Sequence, residues 1–294
     1  MEETEGKRRL AKVLAERGIA SRRAAETLIA EGHVIVNGVT VSHPGHPVDE
    51  NVDVIKVDGK VLGKPPRRVY YLLYKPKGYI TSRDDPEERT SVLELLGHTP
   101  ERVEPVGRLD INTEGALILT NDGPLAHKLT HPSTGVPKRY LAKVWKTPSD
   151  KTIERLQNGI VLEDGKTAPC KVRVMDSTDA GNCWIELTIT EGKNRIVRRM
   201  LAAVGHPVAK LRRESFATIS IRGLERGQFR ALTVEEVQRL RDLAEGVSAS
   251  DAGKKSRPSK AGFAKVDPEW LAKRLDRSKR KVNRGSSSRG GAAR

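Results

Sequence analysis

The sequence predicts an α+β chain with three parts. A small N-terminal module precedes a larger domain, built on a mixed, largely antiparallel sheet with flanking helices, and a disordered basic tail follows. Three observations carry this. Strand-like runs ("VYYLLYKP", "KRYLAKVWK", "CWIELTIT", "FATISIRG") mix with helical patterns near 153–158, 194–204 and 233–245 without strict alternation, which disfavours a parallel βαβ sheet. Gly-Lys-Pro-Pro within "DGKVLGKPPRRV" (58–69) reads as a linker. Beyond residue 245 the chain turns rich in Ser, Gly and Lys, with few large apolar residues besides Phe263, Trp270 and Leu271. The expected boundaries are therefore 7–66, 67–245 and 246–294, with a short helix near 268–280. No repeat at a fixed period is visible.

In the first module, Leu10, Val13 and Leu14 fall at helical spacing and Gly18 marks a helix end. Ser21 can cap a second helix whose apolar stripe is Ala24, Ala25, Leu28 and Ile29, with Gly32 ending it. "HVIVNGVTV" alternates around Asn37-Gly38, a hairpin signal. Arg8, Arg9, Lys12, Arg22 and Arg23 are expected on the outer face, where a basic cluster is either simply solvated or meets an anion.

The 294 residues carry 54 Lys and Arg against 38 Asp and Glu, a formal charge of +16. The tail alone holds 14 Lys and Arg against 4 Asp and Glu, so it supplies +10 of that charge. Such an excess points to a polyanionic partner, most often nucleic acid. A membrane is disfavoured because no apolar run approaches roughly 18 residues, and "MEETEGKRRL" has no signal-peptide core. With two cysteines, Cys170 and Cys183, there is no disulfide framework, and a reducing, cytoplasmic setting is expected. His127 and His131 share helical spacing, but Pro132 follows and no third ligand is spaced for a cage, so no metal site is expected. The sequence has no G-x-S-x-G elbow, Walker A loop or dinucleotide glycine fingerprint.

What remains is "GRLDINTEGALILTNDG" (107–123), expected to form a loop and strand of a hairpin ending at Asn121-Asp122-Gly123. Taken locally, Asp110 is either a turn-forming residue or a reactive carboxylate. Tyr140 in "PKRYLAKV" either packs in the core or stacks on a nucleobase. Lys193, Arg195, Arg198 and Arg199 in "EGKNRIVRRM" can meet phosphates or a carboxylate.

Two resemblances choose between these readings. Residues 10–41 ("LAKVLAERGIASRRAAETLIAEGHVIVNGVTV", with Arg8 and Arg9 before them) resemble the S4 RNA-binding domain, whose second helix and hairpin form a phosphate-binding face. "KPKGYITS", "GRLDINTEGALILTNDG", "KRYLAKV" and "EGKNRIVRRMLAAVGHPV" occur in the order seen in pseudouridine synthases that modify ribosomal RNA, a family in which an S4 module precedes the catalytic domain. The similarity spans about 7–245 and is strongest to the bacterial branch acting on large-subunit (23S) rRNA. Glu114 departs from the small residue of many relatives, and Ala116 from their usual leucine.

The resemblance implies that Asp110 is the catalytic aspartate, that Tyr140 stacks on the flipped uracil and helps remove its C5 proton, and that Arg198 pairs with Asp110. It implies RNA contacts at Arg9, Lys12, Ser21, Arg22, Arg23, Asn37, Arg108, Lys193 and Arg195. Because isomerisation leaves composition unchanged, no cofactor is expected. The expected partner is ribosomal RNA, free or in an assembly intermediate, and the protein is expected to act as a monomer. Three alternatives accompany this: a small-subunit (16S) enzyme, a non-catalytic RNA-binding assembly factor, and a metal-dependent RNA hydrolase.

Overall fold

The computed structural model describes residues 7–83, 85–97, 99, 101–177 and 181–247. The tail expected from residue 246 therefore lies outside the described residues but for its first two, as does the helix expected near 268–280. The chain divides into two compact units. One runs to Val69 and takes in 101–102 and 121–123, and the other holds the remaining described residues.

In the first unit, α1 (Leu10–Glu16) and α2 (Arg22–Ala30) precede β1 (Val34–Val36) and β2 (Val39–Thr40). Ser21 accepts a hydrogen bond from the Ala24 amide at 3.2 Å, as a helix cap should. Asn37 and Gly38 both take positive φ, 50° and 84°, the conformation a two-residue hairpin loop demands. Leu10, Val13, Leu14, Ala25 and Ile29 are buried with Val34, Val36 and Ile55. Ala24, by contrast, is exposed and Leu28 half-buried, so the stripe on α2 is narrower than its apolar spacing predicts. The expected linker is partly folded. Its Lys60–Val61 forms β4, paired with β3 (Ile55–Val57).

The second unit is built on a nine-stranded sheet. Its strands are β5 (Tyr70–Lys75), β6 (Glu114–Thr120), β7 (Lys138–Trp145), β8 (Lys171–Ser177), β9 (Asn182–Ile189), β10 (Val208–Phe216) and β11 (Phe229–Ala231). Their order is β8-β9-β7-β10-β6-β5-β11, with two-residue strands at 104–105 and 219–220 on β6 and β10. Every pair is antiparallel except β10 with β6. The α+β prediction thus holds. One face carries α3 (Gly123–Thr130) and α6 (Val234–Ala244), whose Leu125, Leu129, Leu240 and Leu243 share a core with Leu72, Ala116 and Ile118. On the other face, α4 (Asp150–Gln157) packs on β8 and α5 (Ile196–Ala203) on β10.

Two local expectations are corrected. Asn121-Asp122-Gly123 does not close a hairpin; the chain passes there from β6 into α3. Pro124 explains the switch, since its fixed φ and missing N–H suit a helix's first turn. The strand expected over 216–223 lies earlier, as β10. Ala217, at φ 54°, then turns the chain into the short 219–220 strand.

Candidate active site

Asp110 sits in the loop before β6, and the motif at 75–82 holds that loop. Lys75, at the end of β5, is fully buried and donates from Nζ to the carbonyls of Asp110 (3.1 Å), Thr113 (3.0 Å) and Pro76 (3.1 Å). Gly78 N–H donates to Ile111 O at 2.9 Å. Thr81 Oγ1 donates to Leu109 O at 2.8 Å and accepts from Leu109 N at 3.3 Å. Within the loop, Thr113 N donates to Asp110 O at 3.0 Å. The carbonyls of Leu109, Asp110, Ile111 and Thr113 and the amides of Leu109 and Thr113 are thus taken up, which fixes where the Asp110 carboxylate can go. Burial pushes the Lys75 ammonium down to about 7, against the pull of Asp110 and Glu114.

Two guanidiniums from α5 reach the carboxylate. Arg195 Nη1 donates to Asp110 Oδ2 at 3.4 Å, and Arg198 Nε lies 3.8 Å from the same oxygen. Arg195 occupies the cap position of α5 with φ 49°, a left-handed conformation uncommon for a non-glycine residue. Arg198 is the less exposed of the two and chiefly ties down backbone. It donates to Val208 O at 3.2 Å, to Asn112 O at 3.1 Å and to Thr113 Oγ1 at 3.5 Å. Burial, and then the neighbouring Arg195, lower the Arg198 pKa, while Asp110 raises it. The Asp110–Arg198 approach expected from the resemblance is present, but Arg195, expected on RNA, makes the shorter contact.

Asp110, Tyr140, Arg108, Lys193 and Arg195 line one cleft of about 150 Å³. Tyr140 lies in β7 and is 9% exposed, so a ring entering the cleft meets a held surface. Arg108 is exposed at the rim. Lys193 is turned toward Asp164, whose carbonyl lies 3.4 Å from its Nζ. Arg199 forms a two-pronged pair with Asp164, which ties the 161–166 hairpin to α5. The floor holds two buried cations that sequence reasoning did not single out, Lys138 and Arg213. Arg213 Nε donates to Ala116 O at 2.8 Å, and its guanidinium stands 5.1 Å over the Phe216 ring. Lys138 Nζ donates to the carbonyls of Val136 and Thr190, and burial pushes its pKa down to about 8.

A loop-held carboxylate contacted by two guanidiniums thus lines one cationic cleft with a tyrosine. The RNA pseudouridylate synthase family matches residues 69–203, and the S4 domain matches 8–54. Ribosomal large subunit pseudouridine synthase B of Bacillus subtilis is 48% identical over 239 residues, covering 81% of this chain and 97% of that protein. The chain belongs to the RNA pseudouridine synthase family.

An RNA pseudouridine synthase of Aquifex aeolicus is 45% identical over 233 residues, covering 79% of this chain and 93% of that one. Among solved structures, a pseudouridylate synthase aligns with TM-score 0.58 at 30% identity, over 79% of this chain and 99% of its own. Membership of the RNA pseudouridine synthase family, together with the S4 domain, makes RNA the substrate class. Among the described residues no helix is long and apolar enough to cross a membrane, and no three His, Cys, Asp or Glu side chains are grouped to hold a metal ion.

In the S4 domain of this pseudouridine synthase, Arg9, Lys12 and Arg22 line one concavity with Glu26 and His43. Arg23 is exposed on α2. Two residues expected on RNA are engaged inside the domain. Ser21 serves as the α2 cap, and the Asn37 amide donates to Asp53 and accepts from Val54 N. Arg8 is paired with Glu16 and Glu50.

Proposed function

We propose that this protein converts a uridine of 23S ribosomal RNA to pseudouridine, with Asp110 as the catalytic carboxylate. The observation that carries the proposal is the Asp110 side chain, held at the cleft between Arg195 and Arg198 with Tyr140 on the same wall. The target nucleotide must leave its stack to reach such a cleft, which costs a few kcal/mol. Tyr140, which lines the same cleft, supplies a flat surface for the flipped base and assists loss of the C5 proton.

Asp110 then has two chemical routes: covalent addition to the sugar or base, or abstraction of a ribose proton so that uracil departs and returns through C5. In both, negative charge develops on the pyrimidine, and the buried cations Arg213 and Lys138 on the cleft floor favour it. Arg108 at the rim holds the RNA backbone or fills the space left by the flipped base. The S4 domain adds affinity and orientation through Arg9, Lys12, Arg22 and Arg23. The protein works as a monomer, in the cytoplasm.

Release of tritium from uracil C5 tests the reading directly, because the new glycosidic bond displaces that hydrogen. Wild type is expected to release label from 23S RNA, and not from 16S RNA, with chelator present. Asp110→Asn keeps the side chain's size and is expected to bind RNA normally and release none. Release by a well-folded Asp110→Asn protein would refute the assignment. Metal dependence would point to a hydrolase.

A further inference from the structure

The half of the sheet formed by β8, β9, β7 and β10 is covered by α4 and α5 only on the cleft side. On the other face, α3 and α6 pack over β5 and β6, and among the described residues the β8–β10 half keeps solvent access. Alternation along the strands sets what stands there. Tyr140, Ala142 and Val144 of β7 point toward the cleft side and are buried, whereas Arg139, Leu141, Lys143 and Trp145 point the other way and keep solvent access. The registers extend this across the sheet. Trp184, Lys143 and Lys210 form one cross-strand row, with Trp145 beside it at 59% exposure. Lys171 and Arg173 are exposed on β8, opposite Thr188 and Glu186.

An open antiparallel face is ordinarily polar and of mixed charge. This one is biased. Of its acids, Glu186 and Glu214 are each taken by an arginine, Arg139 and Arg212, and Asp176 stands opposite Trp184 by register, against six lysines and arginines. Lys143, Lys171, Arg173 and Lys210 have no acidic partner within ion-pair distance among the described residues. Two tryptophans stand among these cations, one of them mostly exposed, although tryptophan is seldom left in water without use.

We propose that this face is a second RNA-docking surface, on the side of the sheet away from Asp110. It binds ribosomal RNA remote from the target uridine. Charge decides the occupant. The unpaired cations suit phosphates, and Trp145 and Trp184 offer stacking platforms for unpaired bases. The chain's own 246–294 segment, with 14 Lys and Arg against 4 Asp and Glu, is repelled from it. Since the surface and the cleft lie on opposite faces, only an RNA long enough to pass around the sheet edge meets both. The inference rests on the RNA-modifying reading for the identity of that RNA.

The test compares K143E/R173E/K210E with a control triple, K151E/R155E/R222E, which reverses as many exposed cations elsewhere. Binding is measured to a full-length 23S transcript and to a short stem-loop excised around the modified uridine, over a range of salt. The first triple is expected to lose at least about tenfold in affinity for the long transcript. Its salt slope should fall by about 2 to 3, one counterion-release increment per lost phosphate contact. Stem-loop affinity and single-turnover tritium release should stay at the wild-type level. Trp145→Ala should weaken long-RNA binding about tenfold without changing the salt slope. An unchanged affinity and slope, or an equal loss in the control triple, overturns the proposal. If wild type releases no tritium from any RNA while the first triple alone still weakens binding, the isomerase reading fails and the docking surface stands.

Discussion

Lys75 Nζ lies 3.1 Å from the backbone carbonyl of Asp110 and not against its carboxylate. The ammonium is therefore a clamp on the loop, leaving the Asp110 side chain to Arg195 and Arg198. A misplacement of about 1 Å at a reacting group can cost about a hundredfold in rate. Lys75→Met should accordingly lower single-turnover tritium release by about that factor while RNA affinity stays within about twofold. A parallel loss of affinity would show that the loop also holds RNA.

The same burial predicts a pH dependence of stability. Lys75 is held down to about 7 and Lys138 to about 8, against an ordinary lysine value of 10.5. Between the folded and unfolded values the unfolded chain binds more protons, so stability rises with pH through that window. From about 7 to 8 the rise comes from Lys75 alone, and from about 8 to 10.5 from both. Below about 7 the cost of burying the charge is fully present. Urea unfolding at pH 7, 8 and 9 should show the increment from 7 to 8 shrinking in Lys75→Met, while about half of the rise from 8 to 9 survives.

The two arginines at Asp110 should separate by what else they hold. Arg195 is half exposed and its side chain meets the carboxylate, so Arg195→Ala should slow the bound step about tenfold and barely change stability. Arg198 also bridges the loop to β10 through Asn112 O and Val208 O. Arg198→Ala should slow the step further and cost about 1–3 kcal/mol by leaving those groups unmet. Arg198→Lys keeps the charge without the planar fork, and should recover rate better than it recovers the unfolding midpoint.

Features set by local chemistry were legible in the sequence. The Asn37-Gly38 loop, the Ser21 cap and the glycine after each early helix depend on neighbours in the chain, and each appears where its residues point. Asp110 was legible because its motif is contiguous. β10 was not. "VAKLRRESF" carries charges at four of its nine positions, and its burial depends on partners distant in sequence. Arg213 is 2% exposed because Ala116 O and the Phe216 ring receive it, and no local pattern announces a buried arginine. Lys75 stood within a recognised motif, but its task exists only once the 107–113 loop closes over it. Arg195 reads as one more basic residue until its left-handed backbone brings it to the carboxylate.

Gly115 gives the sharpest structural prediction, because β6 meets β10 in parallel only at Glu114 with Arg212 and Gly115 with Arg213. Gly115 has φ 119°, and a Cβ built there would lie 2.1 Å from Arg213 O and 2.6 Å from Arg213 N. Both are backbone atoms of a central strand and cannot swing aside. Gly115→Ala must therefore prise β10 from β6, moving Arg213 and the loop that begins just upstream at Asp110. Gly107 supplies the contrast. It also has positive φ, at 72°, but its added Cβ would meet only Thr130 Cγ2 at 3.5 Å, an ordinary contact. Gly107→Ala should thus cost about 1–2 kcal/mol, the price of a left-handed alanine. Gly115→Ala adds steric collision to that strain and should cost about 3 kcal/mol or more. Urea midpoints of the two variants measured side by side decide the matter. Equal small losses would mean that the parallel pairing of β6 and β10 is not what holds the cleft floor together.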